Sequence, residues 1–173
     1  MASSTQQQVQ NSFIKDFAND RIVVTHYCDA DGDLVWDMWT KADLLDLWWA
    51  PKPFISETKS MSFTNGGRRL YSMAGPGPDG AHMKMWAFGD FRSISPKRSF
   101  ELTDGFCDEN GVVNEDMPQT DWKMTFDKSG NGTKVTITLL APGAHLQKLA
   151  EMGFEEGFKM ALNNLDEELA KRA

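Results

Sequence analysis

Residues 133–140 read TKVTITLL, and beyond Ala141 and the pair Pro142-Gly143, residues 144–171 read AHLQKLAEMGFEEGFKMALNNLDEELAK. The first stretch alternates, with Val135, Ile137 and Leu139 on one parity, which is the period of a half-buried strand. In the second, Leu146, Leu149, Gly153, Gly157, Met160 or Ala161, Leu165 and Leu169 recur about every 3.6 residues, so the spacing predicts one long amphipathic helix. Gly153 and Gly157 fall on one helical face, where each costs about 1 kcal/mol against Ala. Close approach of a sheet to that face is the compensation expected. Just upstream, residues 119–126 alternate as well, with Trp122, Met124 and Phe126 on one face, and Ser129-Gly130-Asn131-Gly132 makes a tight turn. A hairpin followed by a long helix is therefore the anchor of the reading.

Working outward, the chain continues in strands. Residues 54–60, 68–74, 82–94 and 99–103 carry strand texture between the turn residues Asn65-Gly66-Gly67, the run GPGPDG at 75–80, and Ser95-Pro96. Apolar residues in 82–94 fall on both parities; Gly89 suggests a bulge or a close backbone approach, and a bulge somewhere in the strand, at no position the sequence fixes, would reconcile them. Residues 104–117 read as an exposed acidic loop. The β-branched run RIVVTHY at 21–27 is a first strand. Asp31 or Asp33 caps a short helix from about Leu34, and a second runs from about Lys41 to Trp48 until Pro51 and Pro53 stop it. Residues 1–20 read as a polar tail or short helix. The first ten suit a disordered tail, and Val9, Phe13, Ile14 and Phe17 have rough helical spacing. Residues 21–173 form the domain.

One amphipathic helix must bury its stripe, and a curved sheet is the surface on offer. The expected class is α+β: a helix-grip fold. About six to seven antiparallel strands form a curved sheet around the C-terminal helix, with two short helices after the first strand.

Composition narrows the function. The chain has 173 residues, formal net charge −7 and pI near 4.9, which disfavours nucleic acid as a partner. Cys28 and Cys107 are far apart and outside any CxxC pair, so a reducing cytoplasm is the expected setting. The polar start has no apolar signal region, and no apolar run is long enough for membrane insertion. Six Trp, eleven Phe and ten Met suit either a large core or an apolar pocket.

A family resemblance rests on specific residues. Asp29-Ala30, then Leu34-Val35-Trp36-Asp37-Met38-Trp39-Thr40, then Leu44-Leu45-Asp46-Leu47-Trp48-Trp49-Ala50-Pro51 resembles the opening signature of the family of homologues of the activator of the heat-shock chaperone ATPase, within the START-like (SRPBCC) superfamily. Gly66-Gly67-Arg68, Pro78-Asp79-Gly80, the stretch from Gly89 through Phe91 and Ile94 to Pro96, Thr103-Asp104-Gly105-Phe106, and Glu156-Gly157-Phe158 with Leu162 and Leu165 match in order. The double Trp is specific, and the rest persuade as a series from Ile22 to Leu169. Ala50 stands where the family has Gly, and Arg69 where it has an aromatic. The resemblance implies a helix-grip domain with a cavity between sheet and long helix, and a chaperone as one possible class of partner.

The residues offer little ready-made chemistry. His26, His82 and His145 have no metal-ligand spacing, so no metal or cofactor is expected. Asp29, Asp31 and Asp33 open like a calcium loop, but Leu34 and Thr40 occupy positions that need Gly and Glu. Candidate cavity residues are Trp36, Trp49 and Phe54; Arg69, Tyr71 and Met73; Trp86 and Phe88; Trp122 and Met124; Phe154 and Phe158. An inward Arg69 needs a partner, or would itself orient a ligand carboxylate or phosphate. The leading expectation is non-enzymatic binding of a small hydrophobic or amphipathic molecule. A protein-interaction module of stress response predicts an exposed apolar patch and no useful cavity. A cyclase-like or hydrolase-like enzyme predicts that His82, Tyr71 or Asp90 converge inside it.

Overall fold

The computed structural model describes residues 11–172. Its strands are β1 (Ser12–Asp16), β2 (Arg21–Cys28), β3 (Ile55–Met61), β4 (Arg68–Pro76), β5 (His82–Ser95), β6 (Ser99–Cys107), β7 (Thr120–Ser129) and β8 (Gly132–Leu140). Helices α1 (Gly32–Thr40) and α2 (Ala42–Leu45) follow β2, and α3 (Gly143–Glu151) and α4 (Phe154–Arg172) close the chain. The strands form one antiparallel sheet in the order β1-β2-β8-β7-β6-β5-β4-β3, so the predicted helix-grip architecture is present.

The strand count is one or two higher than the six to seven expected, because β1 takes up most of the segment expected to be a short helix, leaving one 3-10 turn at Phe17–Asn19. Ser12–Asp16 pairs in register with β2, Ile14 opposite Val23, and the β2 edge would otherwise offer unpaired backbone groups. Residues 1–10, read as a disordered tail, lie outside the described residues.

The β7–β8 hairpin is as the alternation predicts. Met124 opposes Ile137, Trp122 opposes Leu139, and Ser129 closes onto Gly132. A Cβ on Gly132 would stand 2.3 Å from the Cys28 carbonyl oxygen and 2.5 Å from the Tyr27 hydroxyl. Gly132→Ala is expected to cost about 3 kcal/mol, since backbone cannot step aside, read as a lowered urea midpoint at unchanged slope.

The single long helix is the expectation that fails. It breaks at Gly153, which adopts a left-handed φ of +89° and separates α3 from α4. Neither glycine meets the sheet closely: a Cβ at Gly153 has nothing within 4 Å, and one at Gly157 meets only Pro51 Cγ at 3.8 Å. Their small size leaves space rather than admitting a close contact.

The bulge in β5 also lies elsewhere. Pairing with β4 runs unbroken through Gly89, opposite Arg69, and the register shifts between Arg92 and Ser95. Trp86 and Phe88 have the opposite parity from the inward Met85 and Ala87, so they point to the convex face. There the segment after β6 folds back over the sheet. Arg68 Nη1 donates to the Gly111 carbonyl at 2.8 Å, Lys59 Nζ donates to the Glu109 carbonyl at 2.8 Å, and Arg68 lies 4.6 Å over the Phe88 ring. The predicted acidic loop thus begins four residues later than expected, because β6 runs to Cys107, and it covers a second apolar surface.

The main core lies on the concave side. Trp36, Trp39 and Trp48 from the α1–α2 region pack against Phe100, Phe126, Ile137 and Leu165. Trp36 meets Phe63, Phe100 and Phe126 edge-on, and Trp39 meets Trp48 at 4.7 Å. Burial of side chains this large stabilises by about 2–3 kcal/mol each before entropy is counted. No helix among the described residues is long and apolar enough to cross a membrane.

Candidate functional site

The double-Trp segment builds the site from local chemistry. Trp48 is fully buried and its Nε1 donates to the Met38 carbonyl at 2.9 Å, locking the segment to α1. Asn164 of α4 donates to the Ala50 carbonyl at 3.0 Å, locking it to the helix above. Trp49 is left pointing between them, where its Nε1 donates to Tyr71 Oη at 3.1 Å.

A cavity of about 330 Å³ opens at that point, between the concave sheet and the α3–α4 joint. Trp49, Phe54, Tyr71, Met73, Trp122, Phe154 and Phe158, seven of the predicted residues, line it. Met85, Ala87, Phe106, Leu149, Met152 and Ala161 complete an apolar wall, and Gly153 and Gly157 border it. The helix break and the two glycines are therefore at the cavity, where missing side chains become volume.

Arg69 and Met124 border a smaller void of about 30 Å³ beneath, shared with Tyr71, Asp104 and Trp122. That is room for a water molecule. The indole N–H groups of Trp39 and Trp122 are buried without a hydrogen-bond partner among the described residues, and both rings border it. Three predicted residues are elsewhere: Trp36 fills the core, and Trp86 and Phe88 belong to the convex face, because β5 pairs with β4 without a break through this stretch.

Arg69 does face inward, and its partner comes from the protein. Its Nη2 lies 3.0 Å from Asp46 Oδ1 and donates to Ser56 Oγ at 3.1 Å, while Nε donates to Thr58 Oγ1 at 3.1 Å. Asp46 also accepts from the Thr58 backbone N–H at 2.8 Å. The guanidinium stacks 3.9 Å over the Tyr71 ring. Burial lowers the Arg69 pKa, and its neighbours Tyr71, Asp46 and Asp104 oppose that shift. The charge is already matched, so the expected role of orienting a ligand anion goes unfilled.

The ionisable carboxyl the cavity presents is Asp104, with Thr120 opposite it on β7. It continues the inward parity of Phe100 and Leu102 along β6, and Tyr71 Oη is 3.5 Å from its Oδ1. Burial pushes its pKa up to about 7, against the lowering effects of Arg69, the Tyr71 hydrogen bond and the Gly105 N–H. Burial pushes the Tyr71 phenol far up as well, so it stays protonated. In the sequence alone Asp104 stands at the start of an expected loop. The signal that finds it is the Phe100–Leu102–Asp104 alternation, carried two residues further.

Of the three residues expected to converge in an enzyme, only Tyr71 is in the cavity. His82 is exposed at the start of β5, and Asp90 forms a two-point ion pair with Arg68, 2.6 and 3.0 Å, away from the cavity.

Known proteins agree with the architecture. The family described as activator of Hsp90 ATPase homolog 1-like protein matches residues 29–170. A crystal structure of a Mycobacterium smegmatis protein is 27% identical, over 91% of this chain and 95% of that one, with TM-score 0.82. A solution NMR structure of an Arthrobacter aurescens protein is 31% identical, over 92% and 91%, with TM-score 0.81. A Staphylococcus epidermidis protein at 24% identity, covering 94% and 95% with TM-score 0.78, shares the fold. No curated protein matches the sequence. The resemblance read at the double Trp thus holds across most of the chain, and the protein belongs to the activator of Hsp90 ATPase homolog 1-like family.

Proposed function

We propose that the protein binds a compact, mainly apolar molecule in the cavity, with one neutral or basic polar end against Asp104 and Tyr71. The observation that carries this is the apolar cavity with that single polar corner. Its volume is at the lower end of the range for small-molecule sites, about 300–1,000 Å³, which favours one ring system or a short chain. An acidic end would bring an unmatched charge beside Asp104 while Arg69 is held by Asp46, and such a charge is costly to bury. The cavity counts against the interaction-module reading, which expects none of useful size.

Thermal unfolding against a panel of fatty acids, aliphatic amines, aromatic alcohols and sterols tests this. A ligand that binds only the native state adds about 2.7 kcal/mol at a hundredfold excess over its Kd. Compact amines or alcohols are expected to raise the midpoint, and fatty acids not. Gly157→Leu fills the cavity while removing a helix glycine, so it is expected to keep or raise the midpoint and lose the ligand shift. A panel without effect, or a Gly157→Leu variant that still responds, overturns the proposal.

A further inference from the structure

A second group of side chains lies apart from the cavity, at the seam of β2 and α4. His26 and Cys28 are two apart on β2, so both project from the same face of the sheet. Asp166 reaches them from α4, with His26 Nε2 2.9 Å from Asp166 Oδ1. The ligand atoms of all three lie within 4.8 Å of one another. Cys28 is fully buried, His26 is 6% exposed, and the Asp166 side chain is about one-third exposed. A groove of about 460 Å³ opens beside them, of mixed character: Asn11, Ser12, Thr25 and Lys159 line it together with His26 and Asp166, and Phe13, Val24 and Leu162 form its apolar part. Lys159, on the wall of the groove, is paired with Glu155 Oε2 at 2.6 Å.

We propose that His26, Cys28 and Asp166 form a three-ligand site for a divalent transition-metal ion of the zinc class, with its fourth position open to the groove. The donor set argues for that class. A thiolate and an imidazole select against magnesium and calcium, which take oxygen ligands, and suit zinc at about 2.3 Å from sulfur and 2.0–2.2 Å from nitrogen and oxygen. A tetrahedron with those bonds holds its ligand atoms about 3.3–3.8 Å apart, so binding opens the 2.9 Å His26–Asp166 contact slightly and draws in the wider separations, at most 4.8 Å, by about 1 Å. Asp166, the most exposed of the three, exchanges its contact with His26 Nε2 for the metal in this adjustment.

Charge balances too. Binding breaks the Cys28 S–H bond and forms a metal–sulfur bond, and the proton leaves to solvent. His26 ligates through Nε2 as a neutral imidazole with its proton on Nδ1. Thiolate and carboxylate then cancel the two positive charges, so the buried complex is neutral. Three protein ligands and one open position form the pattern of zinc sites that keep a bound water, unlike structural sites closed by four protein ligands. The site is independent of the cavity, and its failure would leave the ligand-binding reading intact.

The test is titration of the chelator-treated full chain with cobalt(II), which reports thiolate ligation and four-coordination optically. The expected result is one cobalt per chain, a thiolate-to-metal band in the near ultraviolet, intense visible bands, and their loss when zinc is added. Cys28→Ser should abolish the thiolate band and Cys107→Ser should keep it. Asp166→Asn, on a partly exposed helix position that tolerates the change, should weaken binding at least tenfold. A titration with no thiolate band overturns the proposal, as does a band that survives Cys28→Ser or vanishes in Cys107→Ser, or unchanged affinity in Asp166→Asn.

Discussion

Arg69→Met is expected to destabilise the protein by about 3–5 kcal/mol, because it strands a partner inside the fold. The substitution keeps most of the side-chain volume, so little of the loss comes from packing. What disappears is the counter-ion of Asp46, two hydroxyl hydrogen bonds and the stacking on Tyr71. Asp46 keeps the Thr58 N–H and the Ser56 and Thr58 hydroxyls, which places the effect toward the lower end. Removing the stranded charge as well, in Arg69→Met/Asp46→Asn, should recover part of the loss. The two urea midpoints check this. A single-variant loss under about 1 kcal/mol, or a double variant weaker than the single one by the full additive amount, would show that the pair is not a coupled unit.

The second large effect is a pH dependence that runs opposite to that of most carboxylates. The folded Asp104 has a pKa raised to about 7, far above the unfolded range, so between about pH 4 and pH 7 the native state holds a proton that the unfolded chain has released. Stability from this group is fully present below pH 4 and is lost as pH rises to about 7. The slope is at most about 1.4 kcal/mol per pH unit. Paired surface carboxylates work the other way. Glu168, held below its usual range against its own burial by Arg172 and Lys171, contributes stability that is lost in acid. The difference between the wild type and Asp104→Asn isolates the Asp104 part. That difference should fall steadily from pH 4 to pH 7 and be flat above. A difference independent of pH would show that the carboxyl is not held protonated.

The same titration bears on the ligand. A basic ligand should bind more tightly as pH rises past 7, when Asp104 can supply a counter-charge. A neutral acceptor should bind more tightly below 7, when Asp104 donates a proton in a hydrogen bond. Asp104→Asn should remove either dependence, read as the pH profile of the thermal shift.

Period and turn chemistry in the sequence determined the helix-grip sheet. Alternation at Trp122, Met124 and Phe126 against Val135, Ile137 and Leu139, the turn at 129–132 and the amphipathic run after Pro142 each have one plausible local answer, and those answers fit together. The double-Trp signature determined the family, and large apolar side chains in the double-Trp segment, on the inward parity of the strands and on the last helix supplied seven of the cavity residues. Three-dimensional placement decided the rest. Whether β5 carried a bulge could not be read from apolar residues on both parities, because a loop covering the convex face produces the same pattern, and this misplaced Trp86 and Phe88. Two glycines in a helix fit close packing or empty space equally well, and the surroundings alone distinguish them. Asp46 and Asp104, 58 positions apart in the numbering, acquire their roles by lying near Arg69 and Tyr71. His26 and Asp166, 140 positions apart, meet when α4 docks on β2. Local period is written in neighbouring residues, whereas the charge, burial and partners of a site depend on which distant segments the sheet and helices bring together.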